Sequence, residues 1–442
     1  MPLSQPIRTA LPRFGWPIQE KAEPRLHKTL EEANAALDAA GDPSMIVRAC
    51  RESFQSTKVF CLWITYSDLF DGRYGEYAPQ GWGLPPDSPT PPPFSIQPIS
   101  GCGRGMVAKR SIKSGETIVI ERPLLVYPQI VTGTFGHPQG LWGHLEDIFD
   151  KSFSYFGEME KSSYMDLWNC KPLTGTLGNQ LVGIARTNGL YSGFSRSKHF
   201  PHYAGVYPNI SRCNHSCGPN ADAKFDEEKM AMTLIAQRTI PAGEQVTISY
   251  TAVGAPYAVR QDDLKTKYVF TCACRHCAPT KPSRPSKPLK HPYWNIPTPP
   301  SSERVDLKAE IYASDVRRNQ LSLRGSHTQV LWAEWLSPSS KQSDRDLVQF
   351  HEDALVVLAQ EGMESTRIHD IAYLAHACAA LEDEAGFRRW GNMLISLSNW
   401  SRGDEGELQM KTWQDWVREP KTSPAWGLRV QAKGRMKGKG KA

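Results

Sequence analysis

The sequence predicts an α+β protein in which a mostly-β middle block is followed by an all-α C-terminal region. Two patterns support this prediction: short β-branched runs broken by Gly, Pro and Asn fill the middle of the chain, and apolar residues recur every three or four positions near its end. The 442 residues suffice for two or three domains with a large core. Hydrophobic residues make up 40% of the chain, which excludes a wholly disordered protein.

Short strands are expected in the middle block and helices in the flanking regions. Residues 117–120 (TIVI) and 245–250 (QVTISY) are rich in β-branched side chains, and each run follows a Gly-Glu pair that suits a turn. Near the N-terminus, residues 29–37 carry apolar side chains at helical spacing. The helical period of the C-terminal region is carried by Leu355, Leu358, Ile368, Ile371, Ala372, Ala375, Cys378, Leu381, Phe387, Met393, Leu394 and Leu397.

Proline-rich stretches divide the chain. Seven prolines fall within residues 85–98 and eight within residues 279–302, and such runs favour extended linkers over helices or central strands. The predicted organisation is an N-terminal, partly helical region (1–84), a linker (85–98), the middle block (99–278), a second linker (279–302), a helical region (303–430) and a basic, disordered tail (431–442).

The formal net charge of +6 comes from two segments that are expected to be unfolded. The tail contributes five positive charges and residues 279–302 contribute four, with no acid in either, so the remainder carries −3. A slightly acidic folded part argues against a DNA-reading surface. Contact with nucleic acid is therefore expected only through the tail, for which a nuclear targeting signal is a further interpretation.

Neither a membrane span nor an export signal is evident in the sequence. No apolar run approaches the roughly 18–20 residues that cross a bilayer. The first 16 residues contain no continuous apolar segment and no small-residue cleavage site. We therefore expect a soluble, intracellular protein in the nucleus, the cytoplasm or both.

Two tight groups among the ten cysteines predict a metal site. Cys272, Cys274 and Cys277 fall within six residues, and three thiolates at this spacing can bind a tetrahedral Zn²⁺. The fourth ligand is expected from the other group, Cys213 or Cys217, about 55 to 60 residues upstream, and spacing alone does not choose between the two. Free, buried cysteines are the alternative, but such residues have no reason to cluster.

A second string, 211–220 (SRCNHSCGPN), is a candidate for chemistry. An Asn-His pair by itself is more typical of a capped turn or of a buried histidine. Here the pair lies beside a ligand-grade cysteine and a Gly-Pro break, and Tyr250 follows at the end of a predicted strand.

Short strings of the middle block follow one another in a recognisable order. They are 101–108 (GCGRGMVA), 112–118 (IKSGETI), 205–211 (GVYPNIS), 214–220 (NHSCGPN), 240–244 (IPAGE), 248–250 (ISY) and 260–277, which ends in YVFTCACRHC. In this order they resemble the SET-domain lysine methyltransferases, nearest the SET-and-MYND branch and its fungal relatives. The resemblance covers residues 99–130 and 180–278, under half of the chain, and implies a SET domain with a pseudoknot and a zinc-binding post-SET segment.

The resemblance also implies roles for individual residues. Cys217 becomes the fourth ligand of a structural zinc, with Cys272, Cys274 and Cys277, and Cys213 becomes a bystander. Tyr250 and Tyr268 correspond to the two phenols that flank the methyl-transfer point. The residues implied to hold S-adenosylmethionine are Arg104, Gly105, Asn188, Asn214, His215, Tyr250 and Phe270.

The expected activity is transfer of a methyl group from S-adenosylmethionine to a protein lysine, histone or non-histone. A lysine amine has a pKa near 10.4, so a site that removes it from water beside a cation must favour its neutral, nucleophilic form. The expected partner is a protein substrate with a flexible, lysine-bearing segment, and we expect no membrane association and a monomeric enzyme. The alternative is a catalytically silent SET scaffold, stabilised by zinc, that binds a protein partner.

Two departures from the family limit what can be inferred. The SET-and-MYND branch carries a finger with a string of cysteines and histidines between the first strands and the later motif. Here the only cysteine or histidine residues in the stretch 131–180 are His137, His144 and Cys170, so that finger is absent. The stretch 131–200 is instead an insertion without a readable motif. Within it, Trp142, Leu145, Ile148 and Phe149 suggest an amphipathic helix that packs into the core. The substrate protein and the number of methyl groups transferred do not follow from the sequence.

Overall fold

A computed structural model describes most of the chain beyond residue 87 and two strands before it. The described residues are 45–51, 59–66, 88–128, 146, 148–150, 152–173, 175–193, 202–227, 229–297, 305–398 and 404–439. Within these residues no helix is both long enough and apolar enough to cross a membrane.

The strands are short and lie almost entirely in the first two thirds of the chain. They are β1 (Met45–Arg51), β2 (Val59–Tyr66), β3 (Phe94–Ile99), β4 (Gly103–Ala108), β5 (Thr117–Glu121), β6 (Leu125–Pro128), β7 (Leu190–Tyr191), β8 (Tyr203–Val206), β9 (Asn214–His215), β10 (Ala221–Asp226), β11 (Ala231–Ala236) and β12 (Thr247–Ile248).

These strands form small sheets, and one apolar core contains side chains of β3, β4, β5, β10, β11 and β12. A five-stranded sheet has the order β1-β2-β6-β8-β7, a three-stranded antiparallel sheet has the order β10-β11-β5, and β3 pairs with β4. The strands β9 and β12 form a parallel pair, and Ser216 N donates to Ile248 O just beyond it. This pair joins two segments more than thirty residues apart, at the position where the expected pseudoknot lies.

The predicted turns before the strands are present. Gly115 and Gly243 have φ angles of 81° and 82°, in the left-handed region that glycine adopts without steric cost. Strand β5 follows Gly115 as predicted, whereas only Thr247–Ile248 of the run 245–250 forms a strand, because β12 has a partner only at Asn214–His215.

Helices occupy the insertion and the C-terminal region. They are α1 (Glu158–Met165), α2 (Leu177–Asn188), α3 (Tyr257–Tyr268), α4 (Leu307–Leu336), α5 (Asp344–Glu361), α6 (Ile368–Ala380), α7 (Glu384–Ser398), α8 (Asp404–Arg418) and α9 (Leu428–Lys439). Single 3-10 turns lie at Ile210–Arg212, Pro292–Trp294, Glu364–Thr366 and Pro420–Thr422. Together the small sheets and the C-terminal helices confirm the predicted α+β class.

The C-terminal helices bury large aromatic side chains against one another. Phe350 of α5 and Trp335 of α4 are fully buried, and Trp294 stacks on Phe350 with ring centroids 5.6 Å apart. The helix α5 begins with a capping box formed by Ser343 and Asp346 and ends at Gly362 in the left-handed conformation. Most of the apolar positions predicted from the helical period, including Leu358, Ile371, Ala375, Phe387 and Leu394, are buried as expected.

Three segment predictions need correction. Phe94–Ile99 forms β3 rather than the end of a linker, because its apolar residues pair with β4 and Phe94 enters the core. The second linker packs on the helices, since Trp294 is buried and donates from Nε1 to Phe350 O at 2.9 Å. The tail is helical through Lys439, and Arg429 anchors it by donating to Asp344 Oδ1 at 3.0 Å.

The N-terminal region and the insertion are described only in part. The chain before residue 85 contributes strands β1 and β2, while the predicted helix at 29–37 lies outside the described residues. In the insertion, Ile148 and Phe149 are helical and buried as predicted, and Trp142 and Leu145 lie outside the described residues.

Candidate functional site

The four cysteines predicted as zinc ligands lie together. One sulfur from each of Cys217, Cys272, Cys274 and Cys277 lies within 4.8 Å of the other three, and we call this group the cysteine cluster. The Sγ of Cys217 is 3.5 Å from that of Cys277 and 4.0 Å from that of Cys272. Because Zn–S bonds are near 2.3 Å, a tetrahedron of zinc-bound sulfurs has edges of about 3.8 Å. The donor set and its size therefore fit a structural zinc ion.

The loop that follows α3 is folded around these sulfurs. Cys277 N donates to Cys274 O at 2.9 Å, which closes the turn between them. Gln261 of α3 fixes Cys272 from both sides: its Oε1 accepts from Cys272 N at 3.0 Å and its Nε2 donates to Cys272 O at 2.9 Å. Leu264, one turn further along α3, is fully buried against the cluster. Sequence reasoning missed Gln261, since nothing in the pattern marks a glutamine on a helix as a loop anchor.

Cys213 lies apart from the cysteine cluster. It is buried in the core of the small sheets, where its Sγ lies 3.8 Å from the sulfur of Met106. Burial raises the pKa of the Cys213 thiol well above its usual range, so this cysteine stays a neutral thiol at pH 7.

The two predicted tyrosines are neighbours beside the cluster. The rings of Tyr250 and Tyr268 have centroids 4.8 Å apart, and both pack against the cysteines with Phe270. The hydroxyl of Tyr250 donates to Cys213 O at 2.7 Å, which fixes the orientation of the phenol. Burial raises the pKa of Tyr268 to about 12 and raises that of Tyr250 further. Both phenols are therefore neutral at physiological pH, and because the hydrogen of Tyr250 is donated to Cys213 O, its oxygen serves as an acceptor.

His215 joins the tyrosines to the cysteine cluster. Its Nδ1 accepts from Tyr250 N at 3.0 Å, and its Nε2 lies 3.3 Å from Cys217 Sγ. The imidazole also packs on Tyr250 and Phe270, with ring centroids 5.4 and 6.1 Å away. A displacement of Cys217 would therefore be transmitted to the tyrosine pair through one side chain.

A strained residue, Val269, separates Tyr268, the last residue of α3, from Phe270. Val269 ends the helix in the left-handed conformation, with φ 61°, and its side chain is 65% exposed. A β-branched residue rarely adopts this conformation, and such strain is found mainly at functional sites. The reversal turns Tyr268 and Phe270 toward the cluster while Val269 faces solvent.

Asn214 and the hairpin β3–β4 are in direct contact. Asn214 Nδ2 donates to Gln245 Oε1 at 2.6 Å and lies 3.4 Å from Arg104 O. A Cβ at Gly105 would lie 2.7 Å from both Asn214 Nδ2 and Gln245 Oε1, so only glycine allows this approach without displacing a neighbour. Gln245 is a further contact that the sequence did not single out.

Arg104 forms an ion pair that reaches the insertion. Its Nη1 donates to Asp166 Oδ2 at 2.5 Å, and Arg212 Nη2 donates to the same oxygen at 2.8 Å. The side chains of Arg104 and Asp166 are about half exposed, and exposed pairs contribute roughly 0–1 kcal/mol. This pair therefore orients Arg104 rather than stabilising the fold.

Asn188 lies close to these residues, but its amide hydrogens are used within the chain. Its Nδ2 donates to Trp168 O at 2.7 Å and to Ile184 O at 2.8 Å. Its backbone oxygen accepts from Ser211 Oγ at 2.9 Å, which connects the end of α2 to the segment before Asn214. A role in holding a ligand through Nδ2 would require one of these bonds to break.

The insertion also reaches the tyrosine pair, which its sequence did not indicate. Lys171 Nζ donates to Lys267 O and lies 5.9 Å from the centroid of the Tyr268 ring. Cys170 Sγ lies 3.7 Å from the same carbonyl. Burial lowers the pKa of Lys171. The ammonium group of Lys171 thus lies beside Tyr268.

Comparison with known proteins finds a family model and several relatives that match part of the chain. Residues 103–251 match the family model of the SET domain. The chain is 29% identical over 160 residues to a protein named "Histone-lysine N-methyltransferase ASHR1" from Arabidopsis thaliana, which covers 35% of this chain and 31% of that protein. It is 38% identical over 77 residues to "Protein-lysine N-trimethyltransferase SMYD5" from Gallus gallus, covering 17% of this chain and 18% of the relative.

A yeast protein gives a longer match. The chain is 25% identical over 185 residues to "Histone-lysine N-methyltransferase set5" from Schizosaccharomyces pombe, which covers 42% of this chain and 50% of that protein. The chain thus spans half or less of the length of each of these three relatives. All three matches are to proteins that are named as lysine methyltransferases.

Proposed function

We propose that this SET-domain protein, a relative of the SET-and-MYND lysine methyltransferases, transfers a methyl group from S-adenosylmethionine to a lysine side chain of another protein. The observation that carries the proposal is the tyrosine pair, Tyr250 and Tyr268, held 4.8 Å apart beside the cysteine cluster. The names of the relatives support the same reaction class. The substrate we expect is a protein with a flexible, lysine-bearing segment, in the nucleus or the cytoplasm.

The residues around the tyrosine pair fit the cofactor in most respects. Gly105 lets the backbone of β4 approach Asn214 closely, Arg104 keeps a partly exposed guanidinium, and Phe270 offers an aromatic surface. Asn188 fits less well, because both hydrogens of its amide are already donated. When bound, S-adenosylmethionine supplies an electrophilic methyl group on a sulfonium. Arg104, Gly105, Asn214, His215, Tyr250 and Phe270 would hold it.

The tyrosine pair would select the neutral form of the incoming lysine. Neutral phenols orient an amine by hydrogen bonds without the negative charge that would stabilise an ammonium ion. Removal of the amine from water lowers its pKa, and a cation nearby lowers it further. The Nζ of Lys171, 5.9 Å from the centroid of the Tyr268 ring, supplies such a positive charge beside the tyrosine pair.

The test is methyl transfer by the purified full chain, using methyl-labelled S-adenosylmethionine and a mixture of core histones and ribosomal proteins. Tyr250→Phe removes the hydroxyl that donates to Cys213 O and whose oxygen would accept from the amine, and should reduce transfer about 100-fold, the usual cost of one oriented hydrogen-bonding group in an active site. Tyr293→Phe removes a similar hydroxyl that donates to Gln320 O among the C-terminal helices, and should leave transfer unchanged.

Two results would contradict the proposal. Full activity of Tyr250→Phe would remove the tyrosine pair from the mechanism. A wild-type chain that neither transfers label nor binds S-adenosylhomocysteine in calorimetry, when zinc is present, would not be a methyltransferase.

A further inference from the structure

Charged side chains of the C-terminal helices reach the cysteine cluster. Arg318 of α4 is fully buried, and its Nη2 donates to Cys217 O at 3.0 Å. Its Nε donates to Glu361 Oε2 at 2.9 Å, and Nη2 also contacts Glu361 O at 3.2 Å. One arginine thus joins the backbone of a predicted zinc ligand to the last residue of α5.

A second buried arginine approaches the cluster from α3. Arg260 is fully buried, and its Nη1 donates to Ala255 O. Among the described residues, its Nε and Nη2 have no hydrogen-bond partner of regular geometry. These unpartnered N–H groups belong to the residue that directly precedes Gln261, the side chain that fixes Cys272 of the cluster.

Helix α4 also contacts Arg260 from the other side. Asp315 Oδ1 lies 3.8 Å from Arg260 Nη1 and accepts from Tyr257 N at 2.8 Å, at the start of α3. Glu361 pairs with two arginines, with Arg317 through Oε1 and with Arg318 through Oε2. One carboxylate balances only one of these two positive charges.

The charge of a loaded cysteine cluster explains why two arginines belong here. Four thiolates and one Zn²⁺ carry a net charge of −2, and burial of uncompensated charge is costly. Arg260, Arg317 and Arg318 carry +3 and Glu361 carries −1, so these buried groups together supply +2 within the same region. Residues outside the ligand set typically change metal affinity 10- to 100-fold when they are removed.

We propose that Arg260 of α3 and Arg318 of α4 are positioning residues that compensate the charge of the cysteine cluster, so that helix α4, which Glu361 links to α5, contributes to how tightly the post-SET loop binds zinc. This inference rests on the zinc assignment made above. It goes beyond that assignment because, through Arg318, it makes zinc affinity depend on the helical region, whose described residues are not among the predicted ligands.

The test compares zinc affinities of full-length variants by competition with a chromophoric chelator. Arg260→Met keeps the length of the side chain without its charge and should weaken zinc binding about 10- to 100-fold. Arg318→Met should weaken it about tenfold, and Arg260→Lys should weaken it less than Arg260→Met because it keeps the charge. The matched control is Arg324→Met, which removes another α4 arginine whose partner is Asp370 rather than the cluster, and should stay within twofold of wild type.

The outcomes separate this inference from the zinc assignment. Wild-type protein with one zinc per chain, lost in Cys272→Ser, supports the assignment. If Arg260→Met and Arg318→Met then bind zinc within twofold of wild type, or if Arg324→Met weakens binding as much as they do, the inference is overturned. If Arg260→Met does not fold, Arg318→Met and Arg260→Lys decide by the same criteria. Wild-type protein without zinc would overturn the assignment itself.

Discussion

Around the cysteine cluster the chain is held by strands of only two to six residues, whereas the C-terminal region consists of helices of up to 30 residues that pack on buried aromatic rings. Near the cluster, hydrogen bonds of single side chains such as Gln261 and His215 fix the backbone and the tyrosines. In the helical region, Phe350 and Trp335 contribute mainly by filling volume. The contrast suggests that one region depends on its metal site and the other on apolar burial.

The largest effect that tests this contrast is loss of one ligand. Cys272→Ser should abolish zinc binding and disorder the tyrosine pair, because structural zinc sites contribute roughly 10 kcal/mol or more of folding free energy. The helical region should keep its far-ultraviolet circular dichroism. Zinc content and S-adenosylhomocysteine affinity measure the loss.

The control for this variant is Cys102→Ser, which alters an exposed cysteine outside the cluster and should change neither quantity. A Cys272→Ser protein that binds S-adenosylhomocysteine as tightly as wild type would show that the tyrosine region does not depend on the metal site.

A truncation in the aromatic core should have a smaller but still large effect on stability. Phe350→Ala removes a fully buried ring that stacks on Trp294, and should lower the free energy of unfolding by about 3–5 kcal/mol. Zinc content should remain one per chain. Phe270→Ala is the matched change near the cluster, where the ring is only partly buried, and it should cost less stability but weaken cofactor binding. If thermal denaturation shows that Phe270→Ala lowers stability more than Phe350→Ala does, the contrast between the two regions is wrong.

The smallest expected effect concerns a buried carboxyl group at the end of β5. Glu121 accepts from Asn209 N at 2.9 Å and from Ile210 N at 2.5 Å, so it fixes the turn that leads to Asn214. Burial raises the pKa of Glu121 to about 7, although these hydrogen bonds and Arg212 act in the opposite direction. Its protonated form is therefore favoured in the folded state. Protonation of Glu121 stabilises the folded state fully below pH 4.5, and this stabilisation is lost as the pH rises through about 7.

Thermal denaturation between pH 4.5 and 8 tests this contribution. Each pKa unit corresponds to about 1.4 kcal/mol, so wild-type stability should fall by about 3 kcal/mol across this range because of Glu121. Glu121→Gln should lose that part of the pH dependence. If both proteins have parallel pH profiles, Glu121 does not titrate as the structure implies.

The sequence was sufficient for the fold class and for the three clustered cysteines for a physical reason, whereas the choice of Cys217 over Cys213 came from the family resemblance. Thiols, turn glycines and β-branched runs are local patterns, and the spacing of Cys272, Cys274 and Cys277 permits few other arrangements. It was not sufficient for the supporting contacts. Gln261 is unremarkable in sequence, and Arg318 is separated from Cys217 by 101 residues. Such contacts depend on how helices dock, which no local pattern encodes.

The predicted segment boundaries were wrong for a related reason. Proline content predicted unfolded linkers, yet Phe94 and Trp294 are buried in the cores, and strand pairing with β4 and hydrogen bonds to the helices hold the residues beside them. The basic tail is helical because Arg429 reaches Asp344 at the start of α5. In each case side chains of the segment bind to the folded core, among them Tyr293 of the second linker and Lys433 of the tail.

The distance along the chain between Cys217 and its contacts has a consequence for synthesis on the ribosome. The partner cysteines follow 55 to 60 residues later, and Arg318 follows 101 residues later. At translation rates of about 5–20 residues per second, Arg318 is synthesised on the order of ten seconds after Cys217. The Cys217 thiol must therefore stay reduced during synthesis until the three cysteines beside which it lies in the folded protein have been made.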